Sequence, residues 1–257
     1  MEVLVCVKRV PGVSGRILLT EDEQQIDTRY LGFTVSPHEE CAVEEAVRIV
    51  EAHGGSSTVL TLGAEVAEEQ LRSALAIGVD RAILLETDGA EWDPVATAAA
   101  IVDAIRSERE TGRAFDVLLF GNEAADTGDY QVGIRVAQAL GLPCVVGIKG
   151  LQLVDGEAIA SRGTASGGSE IFEVGLPAAF TVKEGMNLPR YPSIPGRMRA
   201  KKKEVDRLVP VHRKSGPERV RLKVPPEQEG EVEILGTGPE AALAVVEALQ
   251  RLGVVER

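Results

Sequence analysis

The sequence predicts a doubly wound α/β fold with a mostly parallel sheet. Short apolar runs alternate with amphipathic segments through the first two-thirds of the chain, and glycines end most of the amphipathic segments. The apolar runs are nearly continuous, which is typical of strands that helices cover on both faces. A chain in which such strands alternate with helices forms a parallel sheet with right-handed crossovers.

Five apolar runs are predicted to be strands of this sheet: residues 2–7, 58–62, 82–86, 116–120 and 144–148. A hairpin is then predicted over 158–174, with a turn that contains Ser166, Gly167 and Gly168. Residues 177–182 are predicted to add one more core strand. The hairpin is therefore an addition to the doubly wound sheet.

Four helices are predicted between these strands: residues 37–53, 66–77, a segment starting at Asp93-Pro94, and 129–140. The first has one apolar face, a Glu44–Arg48 pair at i,i+4 on another side, and a glycine after its last residue. Asp93 is a typical N-cap, and Pro94 suits the first helical position.

The pattern of the sequence changes after these elements. We predict an α/β nucleotide-binding domain over 1–185 and an extended arm over 186–230, because the arm is rich in Pro, Lys, Arg and Glu with little periodicity. Residues 231–257 are predicted to form a strand, 231–235, and an amphipathic helix, 238–252.

Composition excludes several classes of protein. A net charge of -12 argues against nucleic acid as the main partner. No apolar run approaches the roughly 20 residues of a membrane span, and the first residues do not suit a signal peptide. Cys6, Cys41 and Cys144 are scattered in apolar contexts, which favours a reducing compartment, the cytoplasm. The three histidines are too dispersed to predict a metal site.

The loop after the fourth strand, "GNEAADTGDYQVG" at 121–133, is a candidate nucleotide site. It leads from a buried strand into a helix, whose first N–H groups favour a phosphate. Asp126, Thr127 and Asp129 can cap those groups or hydrogen-bond a ribose. Glu123, Asp126 and Asp129 oppose a phosphate unless they turn away. The alternative is a loop with ordinary helix caps.

Common phosphate and catalytic fingerprints are absent. The chain has no G-x-G-x-x-G after its first strand, no G-x-x-x-x-G-K-[ST] and no G-x-S-x-G. No nucleophile–base pair stands out, so the sequence does not predict an enzyme. Lys8 and Arg9 follow the first strand, where they would contact an anion or lie in a solvated loop.

The stretch "YPSIPGRMRAKKK" at 191–203 is a candidate docking loop. Pro192 and Pro195 restrict the backbone, and Ile194 between them presents an apolar side chain. Nucleic-acid binding would require a broader basic field with stacking aromatics, and membrane binding an amphipathic helix or lipid anchor. A protein partner fits best; the alternative is a solvated surface run.

Five stretches together resemble the β (small) subunit of electron transfer flavoprotein. They are "VLVCVKRVPG" at 3–12, "SPHEECAVEEAVRI" at 36–49, "ALAIGVDRAILL" at 74–85, "DVLLFGNEAADTGDYQVG" at 116–133 and, most specifically, "NLPRYPSIPGRMRAKKK" at 187–203. The resemblance covers about residues 1–205. It implies a Rossmann-like, adenine-nucleotide-binding fold with an extended C-terminal arm packed on a partner subunit.

The resemblance also implies a function. The family's β subunit pairs with a larger α subunit that holds most of one FAD, and itself binds AMP as a structural nucleotide. The heterodimer carries electrons from dehydrogenases, typically acyl-CoA dehydrogenases in fatty acid oxidation, to a membrane-bound quinone oxidoreductase. It is an electron carrier rather than an enzyme, without nucleic-acid binding or membrane insertion.

Positions that match the family's AMP contacts fall in four places. They are Cys6, Ser36, Pro37, His38, Glu39, Leu62, Gly121, Asn122, Glu123, Ala124, Ala125, Asp126, Thr127, Gly128, Asp129, Tyr130, Gln131 and Val132. Some relatives instead bind a second FAD there and bifurcate electrons; their loop reads D-G-x-T-x-Q-V-G, whereas this chain has "DTGDYQVG". A non-redox nucleotide-sensing module on the same fold is the remaining alternative.

Two further regions match family contacts. His38 and the region after Arg9 correspond to loops that touch the flavin; Val13 stands where some members place a tyrosine. The 191–203 stretch corresponds to the loop that anchors dehydrogenases through a leucine, here Ile194. The implied docking residues are Tyr191, Pro192, Ile194, Pro195, Met198 and Arg199.

Overall fold

The computed structural model describes residues 1–12, 17–213, 216, 220–226 and 233–255. The chain forms two compact units, Met1–Arg221 and Leu222–Arg257. The division into 1–185, 186–230 and 231–257 stays a prediction. Val13 lies outside the described residues, so its proposed place near the flavin has no structural account here.

The first unit is built on a parallel sheet of seven strands. The described strands are β1 (Glu2–Cys6), β2 (Val10–Pro11), β3 (Phe33–Thr34), β4 (Ser56–Gly63), β5 (Arg81–Glu86), β6 (Val117–Gly121), β7 (Cys144–Ile148), β8 (Gly150–Val154), β9 (Glu157–Gly163), β10 (Ser169–Gly175), β11 (Ala178–Val182) and β12 (Asp206–Leu208). The sheet order is β12-β5-β4-β1-β6-β11-β7, and each of these pairings is parallel.

Helices cover both faces of this sheet. The described helices are α1 (Pro37–His53), α2 (Glu68–Ile77), α3 (Pro94–Glu110), α4 (Val132–Leu140), α5 (Ile194–Ala200) and α6 (Ala242–Arg251). Successive β1 side chains enter opposite cores: Val3 and Val5 pack with residues of α1 and α2, and Leu4 and Cys6 pack with residues of α3 and α4. The predicted doubly wound α/β class is confirmed.

Two small sheets accompany the main one. Strands β9 and β10 form the predicted hairpin, whose turn closes with hydrogen bonds between Thr164 and Gly168, and β8, which was not predicted, pairs antiparallel with β9. Strands β2 and β3 form a short antiparallel pair. The main sheet, with the helices that cover it, positions the candidate nucleotide site.

Several predicted elements differ from the structure. The second predicted helix begins with a 3-10 turn, Glu65–Ala67, before α2. The segment predicted as a recognition loop and extended arm, residues 186–230, includes α5 and the edge strand β12. Ser193 starts α5 because its Oγ accepts a hydrogen bond from the Gly196 N–H, and Pro195 fits the first turn. β12 pairs in parallel with β5, a long-range contact that local periodicity does not reveal.

The second unit contains a 3-10 turn, Pro239–Ala241, followed by α6. Leu243 is an exposed apolar side chain of this helix. The strand predicted over 231–235 is wrong for residues 233–235, which have no strand structure; 231 and 232 lie outside the described residues. In the part of the chain that the structure describes, no helix is both long and apolar enough to cross a bilayer.

Candidate functional site

The strand order reverses between β1 and β6, and this point defines the candidate site. After β1 the chain builds β4 and β5 on one side, then crosses through α3 to place β6 on the other side of β1. Cys6 and Phe120 are paired near the carboxyl ends of the two strands. A crevice outside the carboxyl ends of strands at such a reversal is where doubly wound sheets bind ligands.

Glu39 ties the start of α1 to the chain that leaves β1. Its carboxylate accepts hydrogen bonds from the Ser36 N–H (3.0 Å), the Ser36 hydroxyl (3.1 Å) and the Lys8 N–H (2.8 Å). Ser36 in turn accepts a bond from the Glu39 N–H, which completes a capping box. Burial raises the pKa of Glu39 to about 7, and the bonds from Ser36 and Lys8 only partly offset that effect.

We expect the stability difference between the wild type and Glu39→Gln to depend on pH. Folding raises the Glu39 pKa from 4.5 to about 7, so the folded chain binds more protons than the unfolded chain between those values. The wild type's free energy of unfolding, relative to the variant's, therefore falls by roughly 3 kcal/mol as pH rises through this window. Urea unfolding of the full-length chain at several pH values measures the difference.

Glu173→Gln is the control for this experiment, because Glu173 lies exposed on β10. Its unfolding free energy should run parallel to that of the wild type across the pH range. A difference between wild type and Glu39→Gln that stays constant with pH would contradict a raised Glu39 pKa.

Gly121 brings the end of β6 against the start of α1. A Cβ at this position would lie 2.7 Å from Glu39 Cγ and 3.6 Å from His38 Cβ. Because Glu39 is fixed by its three hydrogen bonds, it cannot easily move aside. Ser36, His38, Glu39 and Gly121, which come from two distant stretches of sequence, thus meet at one edge of the sheet.

Lys8 crosses the crevice to the loop after β6. Its ammonium lies 2.9 Å from Asp126 Oδ1 and 2.7 Å from Asp126 Oδ2. The Tyr130 hydroxyl donates to Glu123 at 2.6 Å, and Gln131 Nε2 donates to Asp129 at 3.1 Å. Glu123, Asp126 and Asp129, whose charges would oppose a phosphate, therefore each accept a hydrogen bond from Lys8 or from another residue of the loop.

Helix α4 begins at Val132, three residues after the predicted start, so Asp126, Thr127 and Asp129 do not cap it as proposed. In the described structure Gln131 is the N-cap, and its side chain contacts Arg135 and Asp129 rather than capping. The first N–H groups of α4 therefore lack a side-chain cap from this residue. Such groups favour an anion at the helix end.

The other residues of the loop shape its path. The Ala124 N–H donates to the Asp129 carbonyl (2.9 Å), and the Gly128 N–H donates to the Ala124 carbonyl (2.8 Å). Gly128 has a φ of +68°, which favours glycine. Ala125 and Thr127 are exposed. These bonds close the loop on itself before it enters α4.

Asn122 is hydrogen-bonded to Thr181 and Val182 of β11, which the sequence analysis did not identify as site residues. Thr181 Oγ1 donates to Asn122 Oδ1 at 2.7 Å and accepts from the Gly147 N–H at 2.8 Å. The Asn122 N–H donates to the Val182 carbonyl at 2.9 Å. Thr181 lies on a strand that no motif connects to the loop, so only the fold reveals this support.

The remaining predicted contacts occupy different environments. The Cys6 thiol is buried in the core, and burial raises its pKa, so only its backbone suits a ligand contact. Leu62 is half-buried against the same core, and Pro37 is the exposed first residue of α1. His38 Nδ1 accepts a hydrogen bond from the Glu184 N–H at 2.8 Å.

Arg9 does not extend toward the loop as Lys8 does. Its guanidinium carbon lies 3.4 Å from the centre of the Phe33 ring, in a cation–π contact. Burial lowers the pKa of Arg9. Contact of Lys8 and Arg9 with a bound anion therefore stays a prediction, and in the structure Lys8 pairs with the carboxylate of Asp126.

A second surface is formed by residues 187–203, here named the docking segment. Its central part is α5 rather than the predicted proline-stiffened loop. Gly196 and Ala200 are buried on one side of α5, while Ile194 (80% exposed) and Met198 (55%) are exposed. Tyr191 (95% exposed) and Leu188 (85%) extend the apolar surface. Pro192 is half-buried, and Pro195 and Arg199 are exposed.

Leu188 was missed by the sequence argument, although it is as exposed as Ile194. The signal was present: Asn187 and Pro189 flank an apolar residue directly before the docking motif. Leu188 therefore adds a fourth large, exposed apolar side chain to the docking segment, beside Tyr191, Ile194 and Met198 in sequence.

Comparison with known proteins agrees with this architecture. The family model described as "Electron transfer flavoprotein domain" matches residues 25–211, which include the docking segment and the crevice residues that follow β1, but not β1 itself or Lys8. The chain therefore belongs to the electron transfer flavoprotein family, a class of electron-transfer proteins.

The relatives place the chain among the β subunits of that family. It is 36% identical over 210 residues to "Electron transfer flavoprotein subunit beta" of Bacillus subtilis, covering 81% of this chain and 79% of that one. It is 35% identical over 235 residues to the protein of the same name from Syntrophomonas wolfei, covering 91% and 90%. "Protein FixA" of Azorhizobium caulinodans is 34% identical over 209 residues, covering 80% and 74%. These similarities support an electron-transfer role.

Proposed function

We propose that this chain is the AMP-binding, dehydrogenase-docking β subunit of a heterodimeric electron carrier. Electrons from acyl-CoA-type dehydrogenases would pass through an FAD held mainly by an α subunit and on to a membrane quinone oxidoreductase. The observation that carries the proposal is the family match over residues 25–211, because it includes the docking segment together with residues 36–39 and the 121–132 loop of the crevice. The chain would act as a carrier subunit, not as a catalyst.

The crevice between β1 and β6 supports AMP in this chain. The first N–H groups of α4, which Gln131 does not cap, favour a phosphate, and the acidic side chains of the loop already have donors, Asp126 from Lys8. Gly121 lets β6 and α1 approach closely, which leaves backbone at the floor of the crevice. Leu62 and the backbone at Cys6 would border the adenine.

An α subunit is the partner that the proposal requires. The chain lacks the usual dinucleotide fingerprint. Its electron-transfer role is explained if another subunit holds most of the flavin. The bound FAD would supply the redox chemistry. This chain would contribute His38 and the region after Arg9 to its surroundings, and its free thiols suit the cytoplasm.

Two other functions are alternatives to this proposal. A second FAD in place of AMP would make the complex an electron-bifurcating one, although the "DTGDYQVG" loop departs from the pattern of those relatives. A nucleotide-sensing module would use the same crevice without a flavin-bearing partner. The nucleotides bound to the natural complex distinguish the three.

We therefore expect the complex co-purified after co-expression with the neighbouring reading frame to contain one FAD and one AMP. The complex is denatured, and the released nucleotides are identified by mass and quantified. Two FAD molecules and no AMP would contradict AMP binding and favour the electron-bifurcating alternative. A complex without flavin would contradict an electron-carrier role.

A further inference from the structure

Arg190 connects the docking segment to α1 through charge-assisted hydrogen bonds. Its Nε donates to Glu44 Oε2 at 2.9 Å and its Nη2 to Glu44 Oε1 at 3.1 Å, while its backbone N–H also donates to Glu44 at 3.1 Å. Nη1 and Nη2 donate to the two Glu51 oxygens at 2.6 and 2.9 Å. Both the main chain and the side chain of Arg190 are thus fixed to one carboxylate.

Glu44 differs from an ordinary surface partner because it is only 2% exposed. Burial alone would raise its pKa, but hydrogen bonds from Arg190 and Arg48 outweigh that effect and hold the pKa below its usual value. An ionised, buried carboxylate needs its donors, since an unpaired charge is costly to bury. Breaking the Arg190–Glu44 pair therefore costs more free energy than breaking a solvated ion pair.

Arg190 lies in the docking segment between the exposed residues Leu188 and Tyr191. Tyr191 is the next residue, and Ile194 follows three residues later. Farther along, a Cβ at Gly196 would overlap the carbonyl oxygen of Ala76, so α5 sits directly against the end of α2. Arg72 donates to the carbonyls of Ala200 and Lys203. The segment is held at its beginning, middle and end.

We propose that Arg190 is a positioning residue that holds the docking segment in its binding conformation. The inference rests on the docking role proposed above. A segment that is already ordered loses less conformational entropy when a partner binds. Lysine cannot reproduce this arrangement, because the planar guanidinium reaches Glu44 and Glu51 together.

The test uses the co-expressed heterodimer with Arg190→Lys and, as a milder change, Glu51→Gln. In Arg190→Lys, trypsin should cut after Arg197 and Arg199 about tenfold faster than in wild type, because local opening becomes more frequent. The concentration of heterodimer that half-saturates a dehydrogenase should rise about tenfold, with kcat and flavin content unchanged. Glu51→Gln should shift both quantities in the same direction by a smaller factor.

Arg48→Gln is the matched control. It removes the other arginine from Glu44 but leaves the bonds between Arg190 and α1 in place. Its trypsin cleavage and half-saturating concentration should equal those of the wild type.

Three outcomes would overturn the proposal in distinguishable ways. Wild-type trypsin rates in both Arg190→Lys and Glu51→Gln would show that Arg190 does not hold the segment, whatever the segment does. Faster cleavage with unchanged half-saturation would show that the segment is held but does not dock the dehydrogenase, which removes the proposed docking role itself. Loss of flavin in Glu51→Gln would assign these contacts to subunit assembly instead.

Discussion

Ile194→Ala is expected to slow electron transfer from the donor dehydrogenase about thirtyfold at sub-saturating concentration, which corresponds to roughly 2 kcal/mol at an interface hot spot. Ile194 is 80% exposed at the first position of α5, and the buried side of that helix, Gly196 and Ala200, holds it in place. Truncation therefore removes apolar contact with the partner without disturbing the core. Anaerobic stopped-flow mixing with a substrate-reduced acyl-CoA dehydrogenase measures the rate.

Assembly and flavin content should remain at wild-type levels in this variant. Ile171→Ala makes the same truncation at another exposed position, on β10 in the small sheet. Its transfer rate should match the wild type. Equal rates for Ile194→Ala and wild type would remove the anchoring role of Ile194.

Gly121→Val is expected to abolish retention of AMP and to lower the free energy of unfolding by about 1–3 kcal/mol, the usual range for overpacking. The first atom of the new side chain would lie 2.7 Å from Glu39 Cγ. Glu39 can withdraw only by breaking its bonds to Ser36 and to the Lys8 N–H, which shape the crevice. Nucleotide content by mass and urea unfolding measure the two effects.

Gly175→Val provides the comparison, because a Cβ at Gly175 meets no atom within 4 Å and the residue lies in a strand. Valine suits strands, so any loss in the Gly121 variant comes from the clash rather than from backbone preference. Full AMP content in Gly121→Val would contradict the placement of the nucleotide beside Glu39.

The parts of the fold that could be predicted are those with local signals. α1 begins and ends where the sequence predicts, because Ser36, Pro37 and Glu39 form a capping box with a first-turn proline, and Gly54 follows the last turn. β7 matches its predicted bounds because its apolar run is short and clearly delimited. Periodicity and caps are sufficient for such elements.

The parts that were missed depend on contacts between distant residues. α5 has few apolar residues and a basic composition, so periodicity did not reveal it, although Ser193 and Pro195 form a recognisable helix start. The Lys8–Asp126 pair joins residues 118 apart, and the Arg190–Glu44 pair joins residues 146 apart. Their partners could not be inferred before the sheet order was known.

Residues of the candidate site divide in the same way. The loop 121–132 and residues 36–39 could be named from motifs, and the structure brings them together at the strand reversal. The pairing of Glu123 and Asp129 with donors of their own loop resolved the charge conflict that the sequence left open. The support of Asn122 by Thr181 had no sequence signal, because it depends on β11 lying beside β6.

The most direct test of the central claim is anaerobic reduction of the purified heterodimer by a dehydrogenase that its substrate has already reduced. We expect the bound flavin to be reduced, at a rate that rises with heterodimer concentration until it saturates. A heterodimer whose flavin stays oxidised in the presence of each reduced acyl-CoA-type dehydrogenase of the same cell would contradict it.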